Sequence, residues 1–355
     1  MKLTINSCLP SECSPLPDFN NLEFGKHYTD HMFTMAYSPQ KGWHSPTIAP
    51  YENFSLSPAT LVLHYAQEIF EGLKAYTRVD GTVGLFRPRD NFIRMNNSAR
   101  RMNMPEFDVE VAYEALQQLL KLDKRWVPPQ EGASLYIRPT MIATDAVIGL
   151  KPSTSYLFYI IMSPVGPYFK IGEKGLNIFV EETYVRAVRG GIGEAKAGAN
   201  YAASLLAATE AKKKGFADAL WLDGVERRYV EEVGTMNIFF AYGEKVVTPK
   251  LNGSLLPGIT RRSIIELLKS WGETVAEESI DIQTLLTDID AGKCTECFGS
   301  GTAAVISPVG SLHYKGIDHP ISGETIGPVS QKIYKALTDI QYGKAPDALG
   351  WTSTI

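Results

Sequence analysis

The stretch GGIGEAKAGANYAASLLAATEAKKKG, residues 190–215, combines a glycine-rich loop, one isolated lysine and a run of helix-forming residues. Residues 197–214 are mostly Ala, Leu, Glu and Lys, so they predict a helix with Gly215 as its C-terminal cap. Lys196 stands among Gly and Ala, and these small neighbours leave room for a bulky group at its amine. A lysine that attacks a carbonyl needs this access, whereas most lysines are simply solvated. The stretch alone leaves both interpretations open.

Length and composition are those of an ordinary globular chain. The protein has 355 residues, 44% hydrophobic and 21% charged, which is enough for two domains or one large one. A formal net charge of -4 argues against a surface for nucleic acid or anionic membranes. No apolar run approaches the ~20 residues of a membrane helix, and the N-terminus lacks the apolar core of a secretory signal. We therefore expect a cytoplasmic protein with a flexible arm over residues 1–20.

The four cysteines fit this compartment. Cys8 and Cys13 lie in the arm, while Cys294 and Cys297 form one CxxC without the second pair that a four-ligand zinc site needs. The surrounding KCTECFGSG predicts a strand, in which positions i and i+3 face opposite sides. The sequence therefore predicts no metal site and favours no redox use of this pair.

A change of composition divides the chain. Residues 164–175, PVGPYFKIGEKG, contain two prolines and three glycines and predict an interdomain linker. Before it, Ser57-Pro58 predicts the start of a helix whose apolar positions include Tyr65 and Phe70. Because strands and helices do not alternate regularly on either side, we predict an α+β fold rather than a doubly wound sheet.

Three glycine-containing loops of the second half suit an anion. LLPGITRRS, residues 255–263, leads into a helix near Ile259, whose first N–H groups and dipole favour negative charge. GSGTAA, residues 299–304, allows close backbone approach, and Thr302 adds a hydroxyl. GGIGEAKAG lacks the P-loop pattern. Each loop is weak as an indication, but an accessible lysine together with a phosphate-type helix N-terminus is more informative.

Several longer motifs extend over the chain in a fixed order. They are HYTDHMF, LHYAQEIFEGLKAY, LFRPRDNFIRMNNSARRM, LYIRPT, GGIGEAKAGANYAAS, EEVGTMNIFF, LNGSLLPGITRRS and FGSGTAAVISPV. In this order and spacing they resemble the branched-chain amino acid aminotransferases, which are pyridoxal phosphate enzymes of fold type IV. The resemblance covers nearly the whole chain apart from the arm. It implies a smaller α/β domain over residues 21–163 and a larger domain over 176–355 with a β-barrel-like core.

The resemblance implies a catalytic centre around Lys196. This residue matches the lysine that forms a Schiff base with pyridoxal 5'-phosphate and then moves a proton as general base. Tyr201 matches the tyrosine that hydrogen-bonds the cofactor's phenolic oxygen. Glu232 matches the acid that keeps the pyridine nitrogen protonated. Glu231 is adjacent, but neighbours in a strand point to opposite faces, so we assign the role to Glu232, which begins EVGTMN.

Further cofactor contacts are implied by the same match. Arg94 and the N–H groups of Ile259 and Thr260 match the phosphate site, since Arg presents a fixed fork of donors. Arg186 matches an arginine near the phosphate or the ring. The complete cofactor-binding set is Arg94, Arg186, Tyr201, Glu232, Thr235, Ile259, Thr260 and Thr302.

The substrate site implied by the resemblance lies mainly in the first domain. Its residues are Tyr65, Phe70, Tyr136, Arg138, Thr302 and Ala303. The three aromatics match an apolar pocket wall for a branched side chain, and Arg138 matches the group that binds the second carboxylate of glutamate. An arginine tied to tyrosines at the rim suits a site that must accept both side chains. Tyr28 is a further candidate across a subunit boundary, and any of these aromatics could instead belong only to the core.

The implied activity is ping-pong transamination between L-leucine, L-isoleucine or L-valine and 2-oxoglutarate in a homodimer, with small molecules as the other partners. D-amino acid aminotransferase and aminodeoxychorismate lyase share the fold type and would use the same lysine and glutamate. A non-enzymatic amino-acid sensor is a third alternative.

Some family members carry a CxxC after the GSGTA loop, but Ala304 and Ser307 stand here, so that redox switch is expected to be absent. The sequence does not rank leucine, isoleucine and valine by preference, and it does not show whether the reaction serves biosynthesis or degradation.

Overall fold

The computed structural model describes residues 1–167, 175–321 and 326–355, and these form two compact units. The first unit contains residues 1–167, 195–198 and 339–355. The second unit contains residues 175–194, 199–321 and 326–338. Each unit is built on a nine-stranded sheet.

Strands and helices follow one another along the chain without regular alternation. The strands are β1 (Thr4–Ile5), β2 (His31–Ser38), β3 (Gly42–Pro50), β4 (Glu68–Phe70), β5 (Leu73–Thr77), β6 (Val83–Phe86), β7 (Ser134–Ala143), β8 (Tyr156–Val165), β9 (Leu176–Val180), β10 (Asp218–Leu222), β11 (Val230–Val233), β12 (Met236–Tyr242), β13 (Lys245–Pro249), β14 (Thr274–Glu278), β15 (Glu296–Gly301), β16 (Val305–Tyr314), β17 (Ile317–Pro320) and β18 (Thr352–Thr354). The helices are α1 (Leu61–Tyr65), α2 (Pro88–Arg101), α3 (Val109–Leu122), α4 (Gly198–Lys213), α5 (Ile259–Ser270), α6 (Ile282–Asp290) and α7 (Pro328–Gln341). This mixture agrees with the predicted α+β class.

The sheet of the first unit has the order β1-β3-β2-β8-β7-β5-β6-β18, and β4 pairs with β7 beside this path. Strand β7 is its centre, because it is antiparallel to β4, β5 and β8 and buried along nearly its whole length. Its sequence SLYIRPTMIA is rich in aliphatic residues, as a strand covered on both faces requires. Helices α2 and α3 are amphipathic and bury one side each.

Six strands of the second unit close into a barrel. The order β11-β10-β9-β16-β15-β12 returns to its start because β12 also pairs with β11. Aliphatic and aromatic side chains with no exposed surface, such as Ile178, Leu220, Val233, Phe240 and Leu312, form the core cluster of this unit. Closure leaves no free edge among these six strands, so the barrel is a rigid support for the loops at its ends.

Helix α4 confirms the prediction made from the Lys196 stretch. The expected range was 197–214, and the helix covers Gly198–Lys213. Gly215 has φ +91°, the left-handed conformation expected of a glycine that ends a helix.

The helix predicted from Ser57 through Phe70 is wrong beyond Tyr65. Helix α1 ends there because Ala66 adopts the left-handed conformation, φ +49° and ψ +36°. The following residues form β4, which pairs antiparallel with β7. The apolar spacing fits a helix, but pairing with the central strand buries Ile69 instead, so tertiary context overrides the local pattern.

The prediction that Cys294 and Cys297 face opposite sides of a strand is also wrong. Strand β15 begins only at Glu296, so Cys294 precedes it, and both thiols belong to the same buried core cluster. Burial raises the pKa of the Cys294 thiol to about 12. Within the described ranges, no group of three or more His, Cys, Asp or Glu side chains could hold a metal ion.

The predicted boundaries remain predictions, and the structure differs from them in detail: residues 195–198 and 339–355, expected in the second domain, group with the first unit. Strand β8 continues to Val165, inside the expected linker 164–175, whose residues 168–174 lie outside the described part. The arm contacts the first unit, because β1 pairs in parallel with β3 and the N–H of Ser14 donates to Asp30 at 2.8 Å. These contacts count against the expected flexibility. In the part of the chain that the structure describes, none of the helices has the length and apolarity to cross a membrane.

The barrel core predicts a large effect of one truncation. Replacing the fully buried Phe240 by Ala should destabilise the protein by about 3–5 kcal/mol, because it removes apolar burial and leaves a cavity. Urea denaturation followed by circular dichroism measures this loss. Val225→Ala is the control, since Val225 is 76% exposed and should change stability by less than about 0.5 kcal/mol. Equal effects of both variants would contradict the assigned core.

Candidate active site

Lys196 is held at its backbone by the first unit. Its N–H donates to the Ser98 hydroxyl of α2 at 2.9 Å, and its carbonyl accepts from the Phe70 N–H of β4 at 3.0 Å. Its Nζ atom lies 4.8 Å from the centre of the Phe70 ring. A cation over a ring face is attracted by the ring quadrupole. The lysine predicted to be catalytic is therefore fixed on two sides, with its amine over an aromatic face.

The predicted substrate residues Phe70, Tyr136 and Arg138 form one cluster with Lys196. Alternation along β7 places Tyr136 and Arg138 on the same face of the sheet. The Arg138 Nη2 atom donates to the Tyr136 hydroxyl at 3.0 Å, and the guanidinium carbon lies 4.7 Å from the Phe70 ring centre. No carboxylate among the described residues comes within 4.0 Å of this guanidinium. The cluster thus combines apolar surface with a cation that lacks a close ion-pair partner there.

Two members of this cluster were missed by the sequence analysis. The Phe24 ring packs edge-on against Tyr136 with centroids 4.9 Å apart. Glu68 lies two residues before Phe70 in β4 and is half-buried. Loss of hydration raises the pKa of the Glu68 carboxyl, although the charge of Arg138 works in the opposite direction. The place of Glu68 in the cluster can be predicted only if residues 68–70 are interpreted as a strand. No local sequence pattern around Phe24 indicates its contact with Tyr136.

Tyr65 and Tyr28 have other partners. Tyr65 ends α1, is 40% exposed, and donates its hydroxyl to the Ile148 carbonyl. Tyr28 stacks on Tyr51 with ring centroids 5.0 Å apart. Their predicted roles at the substrate pocket remain predictions.

Arg94 forms a buried bidentate ion pair with Glu71. Its Nε and Nη2 atoms donate to the two carboxylate oxygens at 2.7 and 2.8 Å. Both side chains are nearly inaccessible to solvent. The pair fixes the direction of the guanidinium and connects α2 to the residue after β4. Its predicted contact with a phosphate remains a prediction.

Glu232 is the centre of a buried polar network in the second unit. Its Oε2 atom lies 2.8 Å from Nε of Arg186, and both side chains are buried. Its Oε1 atom accepts from Asn237 Nδ2 at 2.9 Å and from the Leu256 N–H at 3.1 Å. Asn237 Nδ2 also donates to the Leu256 carbonyl at 3.0 Å. One carboxylate therefore fixes the turn between β11 and β12 and the loop before α5.

The neighbouring Glu231 has a different set of partners. It is also buried, but its Oε1 atom accepts from the Ser254 hydroxyl and from Asn252 Nδ2. The different partners follow from the alternation of side chains along β11. Glu231 therefore holds the loop at residues 252–254.

A cleft in the second unit contains Glu232 and three other predicted residues. It is lined by Arg186, Asn200, Tyr201, Ser204, Glu232, Gly234, Thr235 and Leu256. Four lining residues were missed: Asn200, Ser204, Gly234 and Leu256. The Asn200 side chain donates to the Ile192 carbonyl at 2.8 Å and so fixes the glycine-rich loop before α4. Only the fold identifies these four, because none belongs to a residue type that by itself signals cofactor binding.

The N-terminus of α5 begins at Ile259 and Thr260, as predicted. Its N-cap is Gly258, without a side-chain cap, and its first turn contains no acidic residue. Such a terminus favours an anion through its N–H groups and dipole. Thr302 and Ala303 lie in the turn between β15 and β16, followed by Val305 at φ +62°. A β-branched residue with this φ is strained, as is common beside functional sites.

Gly258 predicts a specific intolerance of larger residues. Its backbone, φ -63° and ψ 134°, suits any residue, but a Cβ atom there would overlap Oδ1 of Asn237. Gly258→Ala should therefore displace Asn237 from Glu232 and cost about 1.5–3 kcal/mol, the range for a hydrogen bond to a charged group. Thermal unfolding measures this loss of stability. In Gly149→Ala the nearest atom would lie 3.9 Å away, and a loss of the same size in this control would contradict the overlap.

Comparison with known proteins identifies one family. The model for amino-transferase class IV matches residues 68–312. A probable branched-chain-amino-acid aminotransferase of Staphylococcus epidermidis is 53% identical over 337 residues, covering 94% of each chain. Branched-chain-amino-acid aminotransferase 2 of Bacillus subtilis is 49% identical over 354 residues, covering 100% of this chain and 98% of its own.

Solved structures agree with these relatives. The branched-chain amino acid aminotransferase of Escherichia coli superimposes with a TM-score of 0.76 at 28% identity, over 91% of this chain and 98% of that one. The T.th. enzyme of the same name, solved with pyridoxamine 5'-phosphate, gives 0.75 at 26% identity, over 90% and 97%. These likenesses confirm the predicted fold type IV architecture with its barrel. Since identity of about one half extends over nearly the full length of both chains in the Staphylococcus epidermidis and Bacillus subtilis comparisons, this protein belongs to the class IV aminotransferase family.

Proposed function

We propose that this branched-chain-amino-acid aminotransferase transfers the amino group of L-leucine, L-isoleucine or L-valine to 2-oxoglutarate, with pyridoxal 5'-phosphate as its cofactor. The observation that carries the proposal is the cluster of Lys196, Phe70, Tyr136 and Arg138 in the first unit. An amine, an apolar wall and a guanidinium with no described carboxylate within 4.0 Å are what such a reaction needs from a side-chain pocket. We propose a homodimer on the family resemblance alone, and a cytoplasmic location on the composition of the sequence.

The cleft of the second unit fits pyridoxal 5'-phosphate by its donor set. Glu232 offers a fixed carboxylate for a protonated ring nitrogen, and Tyr201 offers a hydroxyl for the phenolic oxygen. The N-terminus of α5, which has neither a side-chain cap nor an acidic residue in its first turn, suits a phosphate. When bound, the cofactor supplies an electron-accepting ring at the reacting carbon. Arg186 keeps Glu232 in place and balances its charge.

Lys196 would perform two tasks with one amine. It would hold the cofactor covalently, and after its release by the substrate it would carry the α-proton on Nζ. The backbone bonds to Ser98 and Phe70 restrict its movement, so the amine stays close to where it is needed. Ala195, Ala197 and Gly198 are small enough to leave the amine accessible.

The substrate side chain would be recognised by the first-unit cluster. Phe70 and Tyr136 would contact the branched aliphatic side chain, whereas Arg138 would bind the distal carboxylate of glutamate or 2-oxoglutarate. A guanidinium suits a carboxylate through two parallel N–H donors. Because Arg138 also packs over the Phe70 ring, its edge can serve a polar group while its plane covers apolar surface.

Absorption spectra and turnover test the proposal together. The wild-type protein with pyridoxal phosphate should show a visible band that L-leucine converts to the pyridoxamine form, and 2-oxoglutarate should restore it. Lys196→Ala should lower turnover by at least about 10³-fold, since it removes the positioned base. Lys212→Ala, at the exposed C-terminal end of α4, is the matched control and should retain activity.

Two results would count against the proposal. A band that responds to D-amino acids but not to L-leucine would favour a D-amino acid aminotransferase of the same fold. No binding of pyridoxal phosphate would favour a sensor without catalysis.

A further inference from the structure

Glu68 adds a negative charge to the cluster around Phe70. The two side chains share one face of β4, because they are two residues apart. Lys196 Nζ and the Arg138 guanidinium lie 4.8 and 4.7 Å from the Phe70 ring centre. The charge of Arg138 acts on the half-buried Glu68 carboxyl and works against the rise of its pKa, although no described carboxylate comes within 4.0 Å of that guanidinium.

The backbone beside Lys196 limits where this carboxylate can lie. A Cβ atom on Gly198 would overlap Glu68 Oε1, so the oxygen rests directly against the first residue of α4. The short strand β4, paired residue by residue with β7, fixes the other end of the side chain. Glu68 is thus held between the lysine segment and the strand that carries Arg138.

We propose that Glu68 is a specificity-determining residue that balances the charge of Arg138 and thereby favours uncharged substrate side chains over a second carboxylate. This rests on the proposed function. With leucine bound, Arg138 lies beside apolar atoms, and a nearby carboxylate lowers the cost of its charge there. With a dicarboxylate bound, the substrate supplies that negative charge, and the Glu68 carboxylate repels it.

Steady-state kinetics of Glu68→Gln test this role. The variant keeps the shape but loses the charge, so KM for 2-oxoglutarate should fall roughly three- to tenfold, a range that corresponds to at most about 1.4 kcal/mol. KM for L-leucine should stay the same or rise. Glu68→Asp restores the charge and should restore the wild-type ratio. Glu114→Gln, on the exposed side of α3, is the control.

Equal changes in KM for both substrates, or a ratio that Glu68→Asp does not restore, would overturn the role of Glu68. A wild-type protein that does not transaminate L-leucine with 2-oxoglutarate would instead overturn the proposed function. The two failures are distinguishable because the second is visible before any substitution is made.

A separate observation concerns the thiols of the arm. The Sγ atoms of Cys8 and Cys13 lie 2.9 Å apart, closer than non-bonded contact, whereas a disulfide requires about 2.05 Å. A turn between them brings them together, since the Glu12 N–H donates to the Leu9 carbonyl at 2.8 Å and the Leu9 N–H donates to the Glu12 carboxylate at 2.9 Å.

The ends of this turn are anchored to the first unit. The N–H of Cys8 donates to His31 Nε2 at 3.0 Å, and the N–H of Ser14 donates to Asp30 at 2.8 Å. Both thiols are partly exposed, so small oxidants can reach them. Cys294 and Cys297 are buried in the core and lack this access.

We infer that Cys8 and Cys13 form an oxidative modification site that closes to a disulfide with a low-molecular-weight disulfide as oxidant. One protein thiolate attacks the oxidant, releases one small thiol and forms a mixed disulfide. The second protein thiolate then attacks the protein sulfur of this mixed disulfide and releases the second small thiol. Two electrons pass to the oxidant, and the two thiol protons pass to its products. The side-chain hydrogen bond to Cys13 raises the pKa of the Cys8 thiol to about 11.

Intact-mass analysis after exposure of the folded protein to oxidised glutathione tests the site. The wild-type protein should lose about 2 Da, the mass of two hydrogens, and peptide mapping should place the bond between Cys8 and Cys13. Cys8→Ser should instead gain one glutathione on Cys13. Stable attachment of glutathione to wild-type protein without closure, or a bond that involves Cys294 or Cys297, would overturn the inference.

Discussion

The buried ion pair between Arg186 and Glu232 is the interaction on which the second unit's site depends. Removing a charge of either sign from water costs free energy. Here this cost is offset by the 2.8 Å ion pair and by two further N–H donors to the carboxylate. The same carboxylate accepts a hydrogen bond from the Leu256 N–H, and this bond positions the loop before α5. The carboxylate of Glu232 thus fixes both the candidate cofactor cleft and the path of a loop.

The barrel explains why this network can be rigid. Strands β11 and β12 pair with each other and with opposite sides of the closed sheet, so the turn after Glu232 is supported from both directions. Arg186 also donates to the Ser254 and Gly193 carbonyls. The arginine therefore holds two loops as well as the acid. Substitution of such a residue acts on geometry and on charge together.

The first unit contributes side chains of a different kind. Around Phe70 they are an aromatic ring, a guanidinium, an amine and a carboxylate, all set by the short strand β4, by β7 and by the segment 195–198. That segment groups with the first unit although residues 194 and 199 group with the second. Lys196 therefore lies in the first unit, whereas Tyr201, five residues later, lies in the second. Lys196 and Tyr201 are neighbours in sequence, but separate structural units position them.

Much of this was determined by the sequence alone. The family follows from motifs of fixed order, and helix α4 follows from intrinsic propensity, because both depend on residues close together in the chain. The preference for Glu232 over Glu231 also came from a sequence motif, and the role of Glu232 at a cofactor stays a prediction. Only the tertiary structure decided that residues 68–70 form a strand, which brought Glu68 to the same face as Phe70, and that Cys8 meets Cys13 on an anchored arm. These features depend on pairing with β7 and on contacts with His31 and Asp30, which are distant in sequence, and local patterns contain no information about such partners.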